Sequence, residues 1–187
     1  MSKLRTAVVG VGYLGRFHAQ KHRALDNVDL VAVCDRDLER GRAVAAEVQT
    51  TAVQDYRELV GKIDAVTIAA TTAEHFSVAR FFLEHGVHCL VEKPLTATSA
   101  EAAVLTKLAA DRKLKLQVGH VERFNPALLA ARETLTTVRF IECHRLAPFA
   151  NSMRAFAMSM SSMSTGMPTA EAATGCESTS ERITSRS

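Results

Sequence analysis

From residue 3 to about residue 120, short apolar runs alternate with segments of helical periodicity. The runs Leu4–Val9, Leu30–Cys34, Ala65–Ala69, His88–Val91 and Leu114–Val118 are rich in β-branched residues and read as strands. Between them the spacing predicts helices at Tyr13–Leu25, Leu38–Val48, Tyr56–Val60, Glu74–His85 and Ser99–Asp111, with Gly86 where a helix C-cap glycine belongs. VAVC and VTIAA are almost continuously apolar rather than alternating, which marks strands covered on both faces. The expected fold is therefore α/β, a doubly wound parallel sheet of the Rossmann type.

Beyond this region the pattern changes twice. A short helix is predicted at Ala127–Glu133, and Val138–Arg145 alternates like a half-exposed strand outside the first sheet, the start of a second, α+β domain. Residues 151 to 187 then hold nine Ser, five Thr and five of the six Met, but no Leu, Val, Asp or His. With only Phe156 and Ile183 as large core formers, this stretch has too little apolar surface to offset backbone ordering at ~1–2 kcal/mol per residue, so a disordered tail is expected. The expected divisions are residues 1–124, 125–149 and 150–187. The abrupt change in composition suggests a truncation or frameshift in the coding sequence, and translating the other two reading frames tests that idea.

Composition narrows the classes of function. The chain has 187 residues, 47% hydrophobic and 23% charged, with a mean hydropathy of +0.02. No stretch approaches the ~20 uninterrupted apolar residues of a membrane helix, and the opening segment lacks a cleavage site, so a cytoplasmic location and no membrane partner are expected. The net charge of +3 is spread among interleaved acids and bases, which gives no reason to expect a nucleic-acid partner. Cys34, Cys89, Cys143 and Cys176 are far apart and read as reduced, mostly buried thiols. His88 and Cys89 fall on opposite faces of one strand, so no metal site is expected from the His85–Cys89 cluster. The methionines from Met158 to Met163 fall in the anomalous tail and are read as its by-product rather than a copper clamp.

The densest chemical signal is Gly10-Val-Gly12-Tyr13-Leu14-Gly15, lying between a predicted strand and a predicted helix, with Asp35 twenty positions after Gly15 at the end of the next strand. In such a motif the first glycine permits the tight turn, the second lets backbone approach a pyrophosphate, and the third lets helix and strand touch. First-turn amides, reinforced by the helix dipole, then hold the phosphates. Asp35 is placed to accept hydrogen bonds from the adenosine ribose, which favours NAD, whereas the adjacent Arg36 leaves NADP open. A second signal is Glu92-Lys93-Pro94 at the carboxyl end of a strand, where ligands of open α/β sheets bind. The amine of Lys93 there can orient a substrate hydroxyl or shift its proton; a surface ion pair closing the strand explains the same residues. His18, inside the first helix, can face the cofactor or cover the sheet, and packing is favoured; His120 is read as either a substrate-side group or a structural histidine.

Taken together, AVVGVGYLGRFHA, VAVCDRD, DYREL, VTIAATTAEHF, VEKPLT and VGHVERFNPA resemble the glucose-fructose oxidoreductase, inositol dehydrogenase and rhizopine-catabolism (Gfo/Idh/MocA) family over residues 4 to about 148. The resemblance implies an NAD(P)-dependent oxidoreductase acting on a secondary alcohol of a sugar or nucleotide sugar, and GHVERFNPA is similar to members that act on UDP-linked N-acetyl amino sugars. It implies pyrophosphate contacts at Gly10, Gly12, Tyr13, Leu14 and Gly15, and a ribose contact at Asp35 with Arg36. Thr71, Thr72 and His75 match a loop that packs on the cofactor, although the family usually has proline where Thr71 stands. Glu92, Lys93 and Pro94 match the EKP motif, whose lysine lies near the nicotinamide and substrate, and Arg123 and Asn125 match polar residues at the mouth of the site. Family members continue into a second domain that holds substrate, builds the oligomer and carries an Asp-x-x-x-His helix. Residues 151–187 have neither residue type, which puts activity and a family-type homo-oligomer in doubt for this chain.

Overall fold

The computed structural model describes residues 2–132. The chain divides into two units, Met1–Val121 and Glu122–Ser187. The expected strand at Val138–Arg145, the expected tail, Cys143, Cys176 and the methionine cluster all lie outside the described residues.

The first unit is built on six strands: β1 (Leu4–Val9), β2 (Val28–Cys34), β3 (Thr51–Val53), β4 (Ala65–Ile68), β5 (His88–Val91) and β6 (Leu116–Val118). They form one sheet in the order β3-β2-β1-β4-β5-β6, and every pairing is parallel. The order reverses between β1 and β4, and such a switch point opens a crevice at the carboxyl ends of the strands. The connecting helices are α1 (Tyr13–Ala24), α2 (Leu38–Val48), α3 (Thr72–Glu84) and α4 (Ser99–Asp111).

Burial on both faces explains the continuous apolar runs. Val8, Leu30 and Val33 pack with Ala19 of α1 and Val44, Ala45 and Val48 of α2 on one side. Ala7, Val9, Ile68 and Val91 pack with Phe82 and Leu83 of α3 and Leu105 of α4 on the other.

Several elements differ from the sequence expectation; β6, for one, starts at Leu116, two residues after the predicted Leu114. β3 is only three residues long, too short to show a period, and it exists because it pairs with Ala32–Cys34 of β2. Tyr56–Leu59 is a single 3-10 turn, begun by the Asp55 carboxylate accepting from the Arg57 amide, rather than an α-helix. α3 starts at Thr72, two residues before the predicted Glu74, and β2 starts at Val28, two before Leu30. In the second unit a short helix, α5 (Pro126–Ala130), is capped by the Asn125 side chain accepting from the Ala127 amide. Cys34 and Cys89 are free and buried, and burial pushes both thiols up to about 12, so neither is a thiolate at neutral pH.

Candidate functional site: a dinucleotide cleft and the residues beside it

The turn after β1 is shaped by backbone contact. Gly10 has φ +82°, and a Cβ there would lie 2.6 Å from the Ala70 amide nitrogen. Gly15 faces inward, and a Cβ on it would come within 1.8 Å of the Gly10 carbonyl oxygen. Gly12 differs: a Cβ would meet no protein atom within 4 Å. Two glycines are thus demanded by the fold, and the third leaves open space above the first turn of α1.

That space belongs to a cleft of about 330 Å³ lined by Gly10, Gly12, Asp35, Arg36, Thr71 and Glu74, among others. The N-termini of α1 and α3 both open toward it, and neither Gly12 nor Thr71 makes a side-chain cap bond. By contrast α2, α4 and α5 are capped by Asp37, Thr98 and Asn125. Uncapped first-turn amides are hydrogen-bond donors for an anion.

Asp35 is turned toward the glycine turn. One carboxylate oxygen accepts from the Val11 amide at 2.9 Å and from Arg40 Nε at 3.0 Å; the other accepts from the Asp37 amide at 2.9 Å and from an Arg40 terminal nitrogen at 2.6 Å. Burial alone would raise this carboxyl, but the Arg40 guanidinium and the two amides outweigh it and hold Asp35 below the ordinary carboxylate range. Asp35 is therefore a fixed, ionised acceptor at the tip of β2. Arg36 projects into the same cleft and pairs at 2.7 Å with Glu74 of α3.

Sequence reasoning set His75 against the cofactor. The structure buries it at 2% exposure, with Nδ1 2.8 Å from the Pro94 carbonyl and Nε2 3.1 Å from the Ala70 carbonyl. The ring ties the loop after β4 to the loop after β5, and it does not line the cleft. Thr72, the first residue of α3, is half-buried. Tyr13 and Leu14, in the first turn of α1, are exposed, at 80% and 45%.

Glu92 and Lys93 lie on a second cavity of about 260 Å³, shared with Leu14, Phe17, His18, Lys21, Gly119 and Val121. Glu92 is buried; one of its oxygens meets His18 Nε2 at 2.8 Å and the other accepts from the Lys93 amide at 3.2 Å. Lys93 is exposed, and its bond to Pro94 is cis. His18 thus does more than pack: it links the glycine-motif helix to the end of β5. Its sequence signal was the one-turn spacing from Leu14, which sets both residues on one side of α1. His120 is exposed and follows Gly119 directly. Arg123 and Asn125 lie in the second unit, where Asn125 also donates to the Glu122 carboxylate at 2.8 Å.

A parallel sheet of order 3-2-1-4-5-6, an uncapped glycine turn at its switch point and a carboxylate at the tip of β2 define a dinucleotide-binding Rossmann domain. The family model described as "Oxidoreductase family, NAD-binding Rossmann fold" matches residues 4–120, and the chain belongs to this Gfo/Idh/MocA family. A relative named UDP-N-acetylglucosamine 3-dehydrogenase, from Acidithiobacillus ferrooxidans, is 43% identical over 150 residues, covering 80% of this chain and 47% of its own length. Inositol 2-dehydrogenase 4 of Saccharopolyspora erythraea is 36% identical over 139 residues, covering 71% of this chain and 41% of its own. The chain thus spans about half the length of the curated relatives it matches.

Solved structures agree on the fold. That of the A. ferrooxidans enzyme superposes with a TM-score of 0.75 at 43% identity, covering 81% of this chain and 50% of the other. GenD2 from gentamicin A biosynthesis, solved with NAD, gives a TM-score of 0.70 at 29% identity, covering 77% and 42%. Among the described residues, no helix is long and apolar enough to cross a membrane.

Proposed function

We propose that the chain holds a nicotinamide dinucleotide along the carboxyl ends of β1, β2 and β4 and serves hydride exchange with a secondary alcohol of a sugar or nucleotide sugar. The observation that carries this reading is the bond from the Val11 amide to Asp35 beside the empty volume over Gly12. It sets a ribose acceptor and a pyrophosphate cradle on one cleft. Gly10, Gly12 and Gly15 shape the turn, first-turn amides of α1 bind phosphate, Asp35 takes the ribose hydroxyls, and Thr71 lines the far side.

The nicotinamide, when bound, accepts or returns the hydride. Lys93 is assigned to the substrate side, where its neutral amine takes the hydroxyl proton as the hydride leaves and, as the ammonium, returns that proton in the reverse direction. Glu92 fixes the backbone at Lys93 by accepting from its amide. His120 is assigned to a substrate contact. A UDP-linked N-acetyl amino sugar is the first substrate to try, because the relative bearing that activity is 43% identical.

The test is to incubate the purified chain with NAD and UDP-N-acetylglucosamine, myo-inositol or related polyols and follow NADH absorbance. Turnover that Lys93→Ala removes while NAD still binds is the expected result. No NADH with any of these alcohols defeats the catalytic part. A second reading, a module that binds dinucleotide without turnover, is favoured by the absence of Asp and His from residues 151–187. Calorimetry showing NAD affinity with no NADH formation distinguishes it.

A further inference from the structure

The spelling Thr-x-x-Glu occurs at the start of two helices, and the two copies behave differently. At α4, Thr98 accepts from the Glu101 amide while the Glu101 carboxylate accepts from the Thr98 amide, a closed capping box. At α3, Thr71 makes no side-chain cap bond, and the Glu74 carboxylate reaches across the cleft to Arg36 at 2.7 Å. Both Glu74 and Arg36 line the dinucleotide cleft with Asp35.

Arg36 is the residue next to the ribose acceptor, the place from which an arginine receives a 2′-phosphate in NADP-binding relatives of this fold. The other guanidinium on the cleft, Arg40, is already committed to Asp35 through both of its bonding nitrogens. The charged side chains that line the cleft are Asp35 and Glu74 against Arg36 and Arg40, two against two, so neutralising Glu74 leaves the lining with a net positive charge. An exposed ion pair such as Arg36–Glu74 is weak in itself. Glu74 nevertheless has two effects of the same sign: it competes for Arg36, and its own charge repels a phosphate dianion.

We propose that Glu74 is a specificity-determining residue that selects NAD over NADP by withholding Arg36 from a 2′-phosphate and opposing that phosphate's charge. The inference rests on the dinucleotide reading of the cleft. It assigns the choice of cofactor to a contact between α3 and the loop after β2, not to Asp35 alone.

The experiment is calorimetric titration of NAD and of NADP into the full chain, its Glu74→Gln variant and an Arg36→Ala/Glu74→Gln double variant, with melting temperatures recorded alongside. The unmodified chain is expected to prefer NAD. Glu74→Gln should shift the ratio of the two dissociation constants toward NADP by about tenfold, and Arg36→Ala should cancel most of that gain. A ratio that Glu74→Gln does not move overturns the proposal, as does a gain that persists undiminished without Arg36 or an unmodified chain that already binds both cofactors equally. If neither dinucleotide binds the unmodified, folded chain, the dinucleotide reading itself falls and takes this inference with it. NAD binding with an unmoved ratio removes only the role of Glu74.

Discussion

His18 Nε2 and a Glu92 oxygen meet at 2.8 Å although 74 positions of chain separate them. The contact joins the helix that follows the glycine motif to the residue that precedes Lys93, so the glycine turn and the proposed proton-transfer residue are tied together. Gly119, the residue after β6, closes the arrangement: a Cβ there would stand 2.8 Å from Glu92 Oε1. The Glu92 carboxylate fills the space in front of Gly119 and leaves no room for a methyl group.

Gly119→Ala is therefore expected to lower stability by about 1–3 kcal/mol, because the carboxylate must leave His18 or the strand must move. Urea denaturation checks the size of the loss. A Gly119→Ala/Glu92→Ala double variant should be more stable than the sum of the single effects predicts, since the clashing group is gone. Strict additivity would show that the two residues do not crowd each other.

The glycine motif gives a cleaner separation of folding from binding. Gly15→Ala drives a methyl into the Gly10 carbonyl and is expected to cost more than about 3 kcal/mol, seen as a collapse of the melting temperature. Gly12 has φ −66° and open space at its Cβ, so Gly12→Ala should change stability by no more than about 0.5 kcal/mol. It should still weaken NAD binding by about tenfold or more, because the methyl occupies volume assigned to the pyrophosphate. If Gly12→Ala binds NAD normally, the cradle is elsewhere.

His22 supplies a pH signature. Its ring lies between the Thr6 hydroxyl at 2.9 Å and the Thr67 hydroxyl at 3.1 Å, and burial first, then the charge of His18, lowers it from 6.5 to about 4. A group depressed in the folded state is neutral there while the unfolded chain still takes up a proton, so stability is complete above pH 6.5 and declines as the pH falls toward 4. Between pH 7 and pH 5 the loss should be about 2 kcal/mol. Urea midpoints at the two pH values measure it. His22→Leu should start from a lower stability, with two threonine hydroxyls deprived of a partner, but lose most of the pH dependence. Asp35 acts in a separate window, its contribution being present above the ordinary carboxyl value of 3.8 and lost as the pH falls below it.

Arg40 and Asp35 should couple strongly. Removing either leaves the other short of two charge-assisted hydrogen bonds, and Asp35 is only 6% exposed. Asp35→Asn is expected to cost about 1–3 kcal/mol and to weaken NAD binding. A double-variant cycle with Arg40→Gln should show a coupling energy of about 1 kcal/mol or more. Independent effects would mean that Arg40 does not hold the carboxylate in place.

The order of strands and helices, the uncapped glycine turn and the carboxylate at the tip of β2 were legible in the sequence because each is a local feature. Hydrophobic period depends on neighbours in the chain, and the glycine spacing is dictated by backbone that is close both in sequence and in space. β3 escaped notice because three residues show no period, and its formation rests on the edge that β2 offers. The misread Tyr56–Val60 segment has helical spacing over too few residues to complete an α-turn network, and Asp55 captures its first amide instead.

Local pattern therefore determined that this chain forms a doubly wound sheet with a glycine turn in its first crossover. Tertiary structure decided which partners the polar side chains beyond Asp35 take. His75 was drawn beneath two carbonyls, His18 was brought to Glu92, and Glu74 left the capping box that Glu101 forms with the same spelling. A side chain takes whichever partner the packed elements bring within about 3 Å, and that partner is set by how the helices lie on the sheet, an arrangement that no short run of residues encodes.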